Sequence, residues 1–300
     1  MEIFRTPDEQ FADLPGYPYE PNYVDVSVAG ADYRLHHLDE GTGPTVLCFH
    51  GQPAWSYLYR GVVDKLVSTG HRVVCPDLVG MGRSDKPLDK DWYSYKTHSE
   101  SLAAHLAAID GLENVTAVVH DWGGLLGLKW IADHMDQVGR IVVMNTSLSI
   151  AKGSEAFMQW RNFVASTPDL PIGMILQAAT VNELSPEVIA AYDAPFPSVE
   201  SKAAPQTFPL LVPIEATDPG AAEMAAAREK LREFTGPSLV AFSDSDPMFP
   251  YPKSAEYFTE TLPTAGDPVC ITGAHHFLQE DQPGQIVDAM LEKFGSPIGS

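Results

Sequence analysis

The feature that most restricts this chain is a rhythm of short β-branched runs separated by helical stretches. It stops near residue 145 and resumes near residue 238. The segments 45–49, 72–75, 115–119 and 141–144 are almost continuously apolar, the pattern of strands covered on both faces. Between them, 55–68, 97–110 and 124–134 carry helical spacing. Strand–helix alternation of this kind builds a mostly parallel sheet with right-handed crossovers. Two earlier segments, Tyr23-Val24-Asp25-Val26-Ser27-Val28 and 33–38, alternate at period two and read as opening antiparallel strands. From about 148 to 234 no strong strand pattern appears, and Pro195, Pro197, Pro205, Pro209, Pro213 and Pro219 punctuate helices and loops. The strand pattern returns at Ser238-Leu239-Val240-Ala241-Phe242. A helix near 252–261, a strand at 269–272 and a last helix at 283–294 follow. The expected architecture is an α/β core, 1–147 with 236–300, and a helical cap, 148–235, inserted after the sixth strand over the carboxyl ends of the strands.

Composition narrows the partners. Hydrophobic residues make up 44% and charged residues 20%, enough for a large core and too few charges for disorder. Nineteen basic against forty acidic residues give a net charge of -21, which repels nucleic acid and anionic membranes and suits a small neutral ligand. The first nine residues lack a basic start followed by an apolar run, and no stretch approaches the roughly 20 apolar residues of a membrane span. Cys48, Cys75 and Cys270 each lie in a strand-like run and read as reduced core thiols. A cytoplasmic enzyme is the expectation. No internal repeat or low-complexity segment is present.

Chemistry concentrates at the strand ends. Val118-Val119-His120-Asp121-Trp122-Gly123-Gly124 closes one buried run and opens a helix. The small residues after Asp121 permit a sharp strand-to-helix turn, and such an elbow ordinarily reads G-x-S-x-G with a serine nucleophile. Here the slot holds a carboxylate, and Val119 replaces the small residue before it. A carboxylate can displace a leaving group from an sp³ carbon and form an ester. The alternative is that Asp121 only caps the helix, which Asp does well. No G-x-G-x-x-G follows the first strand and no Walker lysine occurs, so a nucleotide site is not expected.

In an α/β-hydrolase fold the acid and the histidine follow the nucleophile in that order. After the run ending at Ser243, Asp244 and Asp246 compete for the acid, with Asp246 favoured for its deeper place in the loop. Gly273-Ala274-His275-His276-Phe277-Leu278-Gln279-Glu280-Asp281 then offers two histidines past the last strand. Phe49-His50-Gly51-Gln52-Pro53 follows the third strand. In this fold its loop supplies one oxyanion N–H and the residue after the nucleophile the other, assigning Gln52 and Trp122. His50 reads as a structural prop of that loop. Asp77-Leu78-Val79-Gly80-Met81-Gly82-Arg83-Ser84-Asp85-Lys86-Pro87 is a further turn-rich segment familiar from the superfamily.

Taken together these segments resemble the haloalkane dehalogenases over nearly the whole chain, and fit best the subfamily that holds halide with two tryptophans. The resemblance implies Asp121 as nucleophile, Asp246 as acid and His276, directly before Phe277, as general base. It implies Trp122 and, from Ser154-Glu155-Ala156-Phe157-Met158-Gln159-Trp160, Trp160 as halide donors. Phe157, Phe208, Val212, Met248 and Phe249 are implied as pocket residues. Gln52 departs from the glutamate of a related dihalide-degrading pattern, which alters pocket polarity and leaves the backbone donor. The implied reaction is hydrolysis of neutral haloalkanes to alcohol, halide and a proton, with no metal and no organic cofactor. An epoxide hydrolase is the nearest rival; it normally uses two cap tyrosines, whereas 148–237 contains only Tyr192. A fluoroacetate-type dehalogenase normally carries arginine where this chain has Trp122. A non-catalytic binding protein on the same scaffold is the other alternative.

Overall fold

The continuous apolar runs become the centre of one sheet because only a strand flanked by strands and covered on both faces can bury every side chain. In the computed structural model, which describes residues 2–150 and 153–299, the whole of Val115–His120 is buried. The sheet contains β1 (Asn22–Val28), β2 (Ala31–Gly41), β3 (Thr45–Phe49), β4 (Arg72–Pro76), β5 (Val115–His120), β6 (Val138–Met144), β7 (Ser238–Ser243) and β8 (Val269–Ile271). Its spatial order is β8-β7-β6-β5-β3-β4-β2-β1. β1 pairs antiparallel with β2 and β2 with β4, and all other pairs are parallel.

The connections set the layers. From β3 the chain moves outward to β4 through α1 (Arg60–Ser68), then reverses across β3 to β5 through α2 (Tyr95–Ala107). Right-handed crossovers run in opposite directions place those helices on opposite faces. α2 starts two residues before the expected 97. Ser94 accepts from the Thr97 N–H at 3.1 Å while Thr97 Oγ1 accepts from the Ser94 N–H at 2.9 Å, a reciprocal cap. α3 (Trp122–Asp133) follows β5 directly.

Between β6 and β7 lie α4 (Glu155–Ser166), α5 (Ile172–Ala178), α6 (Pro186–Asp193), α7 (Ala203–Leu211) and α8 (Ala221–Leu231), with no strand among the described residues. α9 (Lys253–Thr259), α10 (Leu278–Asp281) and α11 (Pro283–Phe294) complete the chain. α2 packs on α3, and α1 packs on α11. One pairing went unanticipated: Ile3–Phe4 lies antiparallel to Lys86–Pro87. Cys48 and Cys75 are buried as expected, but Cys270 is partly exposed, because β8 is an edge strand. All three thiols are free. Among the described residues no helix is long and apolar enough to cross a membrane.

Register decides where chemistry can gather. Phe49 is level with Val119, His120 with Met144, and Ser243 with Ile271. The segments leaving β3, β5, β6, β7 and β8 therefore emerge at one sheet edge, bringing together residues separated by more than 200 positions in sequence.

Candidate active site

Asp121 forms the elbow. Its backbone sits at φ 50°, ψ -126°, a region that costs a non-glycine residue about 1–3 kcal/mol and persists only when neighbours impose it. Here they do. The Asp121 N–H donates to the Asn145 carbonyl at 3.2 Å, and its own carbonyl accepts from the Gly124 N–H at 2.8 Å and Thr146 Oγ1 at 2.7 Å. A Cβ at Gly123 would collide with the carbonyls of Phe49 and His50, and one at Gly51 with the Asp121 carboxylate, so both positions require glycine. Val119, the departure from the elbow pattern, is accommodated from the other side. Its Cγ1 lies 3.0 Å from where a Cβ on Gly127 would stand, so α3 supplies the missing room. The Asp121 side chain makes none of the N-cap bonds that a capping aspartate would make to α3, which argues against the capping alternative.

The carboxylate is held by donors. Its Oδ1 accepts from the Gln52 backbone N–H at 2.7 Å, and its Oδ2 lies 3.6 Å from His276 Nε2. Burial works against the charge, but His276, His120 and the Trp122 backbone N–H outweigh it and hold the carboxyl below its usual range. At neutral pH Asp121 is an anion at the floor of a largely apolar cavity.

His276 Nδ1–H donates to Asp246 Oδ2 at 2.7 Å. Asp246, whose side chain is fully buried, also accepts from Asn145 Nδ2 at 2.9 Å and the Met248 N–H at 2.8 Å. Burial disfavours charge on His276, yet the Asp246 and Asp121 carboxylates overcome it and push the imidazole up to about 10. Asp244, the competing acid, points elsewhere: it accepts from the Gly273 and Ala274 N–H groups and braces the histidine turn. His50 is the expected prop. Its Nδ1–H donates to the Gly51 carbonyl at 2.9 Å and its Nε2 accepts from the Leu78 N–H at 3.1 Å.

Above Asp121 opens a cavity of about 880 Å³ between the sheet edge and the inserted helices. Gln52, Trp122, Phe157, Trp160, Val212, Met248, Phe249 and His276 all line it. Among the described residues, no protein group accepts from the indole N–H of Trp122 or Trp160. Phe208 differs from expectation. It is fully buried behind the wall, with its ring 4.7 Å from Trp122 and 4.1 Å from His98, and it supports the Trp122 indole instead of facing the cavity. The Gln52 side chain is also spoken for, its Nε2 donating to the Pro205 carbonyl of the inserted segment at 2.9 Å. Among the described residues no cluster of three His, Cys, Asp or Glu side chains could hold a metal.

A model of the alpha/beta hydrolase fold matches residues 44–283. A haloalkane dehalogenase of Mycobacterium marinum is 39% identical over 97% of this chain and 99% of its own. One from Psychrobacter cryohalolentis is 40% identical over 98% of each chain. This chain belongs to the haloalkane dehalogenases. A solved dehalogenase of Paraglaciecola agarilytica NO2, described as tetrameric, superposes with TM-score 0.92 at 34% identity and full coverage of both chains. Like its relatives, this haloalkane dehalogenase is a hydrolase acting on carbon–halide bonds of small haloalkanes.

Three contributors to the dehalogenase site carried no usable sequence signal. Asn145, at the end of β6, links Asp246 to Ser243, accepting from the Ser243 N–H at 3.0 Å. His120 Nε2–H donates to the His276 carbonyl at 2.8 Å. Thr146 fixes the elbow carbonyl. His120 lies within the elbow motif and Asn145 and Thr146 directly follow β6, but each partner is distant in sequence, so only the fold reveals the pairing.

Proposed function

We propose that Asp121 attacks the halogen-bearing carbon in line, with its Oδ2 forming the new C–O bond as the C–X bond breaks and the halide leaves with its electron pair. The observation that carries this is the Asp121 geometry. Oδ1 is engaged by the Gln52 N–H at 2.7 Å, while Oδ2 faces His276 and the cavity. Trp122 and Trp160 donate their indole N–H groups to the departing halide, a use that suits donors with no acceptor capacity and no protein partner among the described residues.

In the second step His276, oriented by Asp246, takes a proton from water. The resulting hydroxide adds to the ester carbonyl carbon of Asp121. The Gln52 and Trp122 backbone N–H groups stabilise the oxyanion on Oδ1, and collapse expels the alkoxide, which leaves as alcohol with the proton from His276. Collapse leaves Asp121 as a carboxylic acid, whose ionisation restores the carboxylate, so halide, alcohol and one proton are the balance.

The division of labour follows the chain: 1–147 with 236–300 supplies nucleophile, base and acid, and 148–235 supplies Trp160 and most of the apolar wall. The cavity's aliphatic and aromatic lining favours neutral haloalkanes. Three free thiols accord with the reducing cytoplasm. The epoxide alternative lacks its electrophile, because Tyr192 is fully buried and donates to Glu280 Oε2 at 2.6 Å.

The test is to separate the two steps. His276→Gln mixed with 1-bromobutane should release about one equivalent of bromide per site and stop. Mass spectrometry should then find one butyl group, on Asp121. Repeated turnover by the folded variant, or an adduct elsewhere, would refute the two-step assignment.

A further inference from the structure

We propose that Asp281 is a positioning residue that clasps the turn carrying His276 to the inserted helices, so that seating the cavity wall and aiming the base are one event. The inference rests on reading His276 as the base of ester hydrolysis.

Asp281 is buried, yet among the described residues it forms no ion pair with lysine or arginine. A buried carboxylate without a cation is costly unless strong donors replace its water. Among the described residues its donors are all backbone N–H groups, and they come from two parts of the chain. Val181 reaches both oxygens, at 2.9 and 3.0 Å, and Asn182 reaches Oδ1 at 2.9 Å, both from the loop between α5 and α6. His275, in the turn after β8, reaches Oδ2 at 2.9 Å. A single carboxylate thus joins the inserted segment to the residue preceding His276.

The neighbouring bonds run along the same seam. The Phe277 N–H donates to the Ala179 carbonyl at 3.1 Å, and Asn182 Nδ2 donates to the Asp281 carbonyl at 3.1 Å. The His276 N–H donates to His275 Nδ1 at 2.7 Å. His276 is therefore flanked by two residues whose backbone positions depend on the inserted segment, and Ala179 and Phe277 themselves line the cavity. The imidazole stands 3.6 Å from Asp121 Oδ2, with water to be aimed from that side, and a displacement near 1 Å in such an arrangement costs on the order of 10²-fold. Alkylation of Asp121 needs no base. A loosened clasp should consequently damage the second step and spare the first.

The experiment is rapid-quench kinetics with 1-bromobutane on Asp281→Asn, which keeps the shape but sets an amide against N–H donors. Ester hydrolysis should slow roughly 10- to 100-fold, bromide release in the first turnover should stay within about threefold, and butylated Asp121 should accumulate during steady state. Glu183→Gln, at an exposed position of the same loop outside the clasp, should keep both rates near wild type. Should Asp281→Asn fail to fold, Asp281→Glu, charged but one methylene longer, should show the same step-selective loss at a smaller factor. Equal slowing of both steps, or wild-type rates for both, overturns the proposal. Repeated turnover by His276→Gln would instead remove the reading beneath it, whereas an ester trapped in His276→Gln beside an unaltered Asp281→Asn rejects the clasp alone.

Discussion

At the scale of single residues, the site is governed by which carboxylates face His276. Two do in the free enzyme, Asp246 at 2.7 Å and Asp121 at 3.6 Å, and together they push the imidazole up to about 10 against the penalty of burial. Ester formation removes the Asp121 charge, so one raising influence disappears and the pKa must fall. Because the base works only when neutral, ester hydrolysis should increase with pH up to the lowered value and then level off. Its apparent pKa should lie about a unit or more below that of His276 in the free enzyme. Single-turnover alcohol formation between pH 6 and 10.5, compared with an NMR titration of the ring, checks this, and coinciding pKa values would contradict it. Asp246→Asn should lower kcat by roughly 10³–10⁴-fold, because the ring loses its tautomer and its stabilised cation. Asp244→Asn, which touches only the turn, should stay within about tenfold, and reversed ranks would reverse the assignment. Loop position favours Asp246 and resemblance favours His276, but neither can show the contact, since each pair of candidates differs by a step or two along a loop. The Asp246 Oδ2–His276 Nδ1 bond joins residues 30 positions apart, and that is the information a linear pattern lacks.

At the scale of elements, the strands were legible because burial on both faces keeps 115–119 and 238–242 almost wholly apolar, Thr116 and Ser238 being the exceptions. The sharp start of α3 was legible from Gly123 and Gly124. The short pairing of Ile3–Phe4 with Lys86–Pro87 was not, since two residues carry no periodicity. Phe208 shows a related limit: the pattern of α7 marks it as apolar without saying whether it faces the cavity or supports Trp122 from behind. The elbow gives a direct test of element geometry. At Gly123→Ala the new Cβ meets the Phe49 carbonyl at the end of β3 and the His50 carbonyl just beyond it, backbone atoms that cannot yield cheaply. The substitution should cost about 1–3 kcal/mol or more of stability, lower Tm by several degrees, and reduce the burst of bromide by tilting Asp121 off the Gln52 N–H. Unaltered Tm and burst would show that this turn has slack.

At the scale of the molecule, the dominant fact is the charge of -21, carried by forty acidic residues against nineteen basic ones. Like charges at this density repel and work against the compact state, and salt relieves them as the Debye length falls from about 8 Å at 0.15 M to about 3 Å at 1 M. The active-site ionisations act in other pH windows. Asp121 and Asp246 are held below their usual 3.8, so the stability they contribute is present above 3.8 and is lost as pH falls through their folded values. His276 is raised from 6.5 to about 10, so its contribution is complete below 6.5 and is lost as pH rises through about 10. Near the pI of 4.7 the repulsion is small and all three contributions stand. Thermal unfolding at low and at 0.5 M potassium acetate, a salt without halide, should therefore show a Tm gap that is widest above pH 8 and closes toward pH 5. Turnover should respond differently, because an uncharged haloalkane neither gains nor loses from the field around an acidic protein. The kcat/KM for 1-bromobutane should stay within about twofold over the same salt range. A Tm insensitive to salt at pH 8 would mean that the acidic residues are spaced or paired well enough to cancel their repulsion, and a strongly salt-dependent kcat/KM would mean that the field reaches the cavity and acts on the chemistry itself.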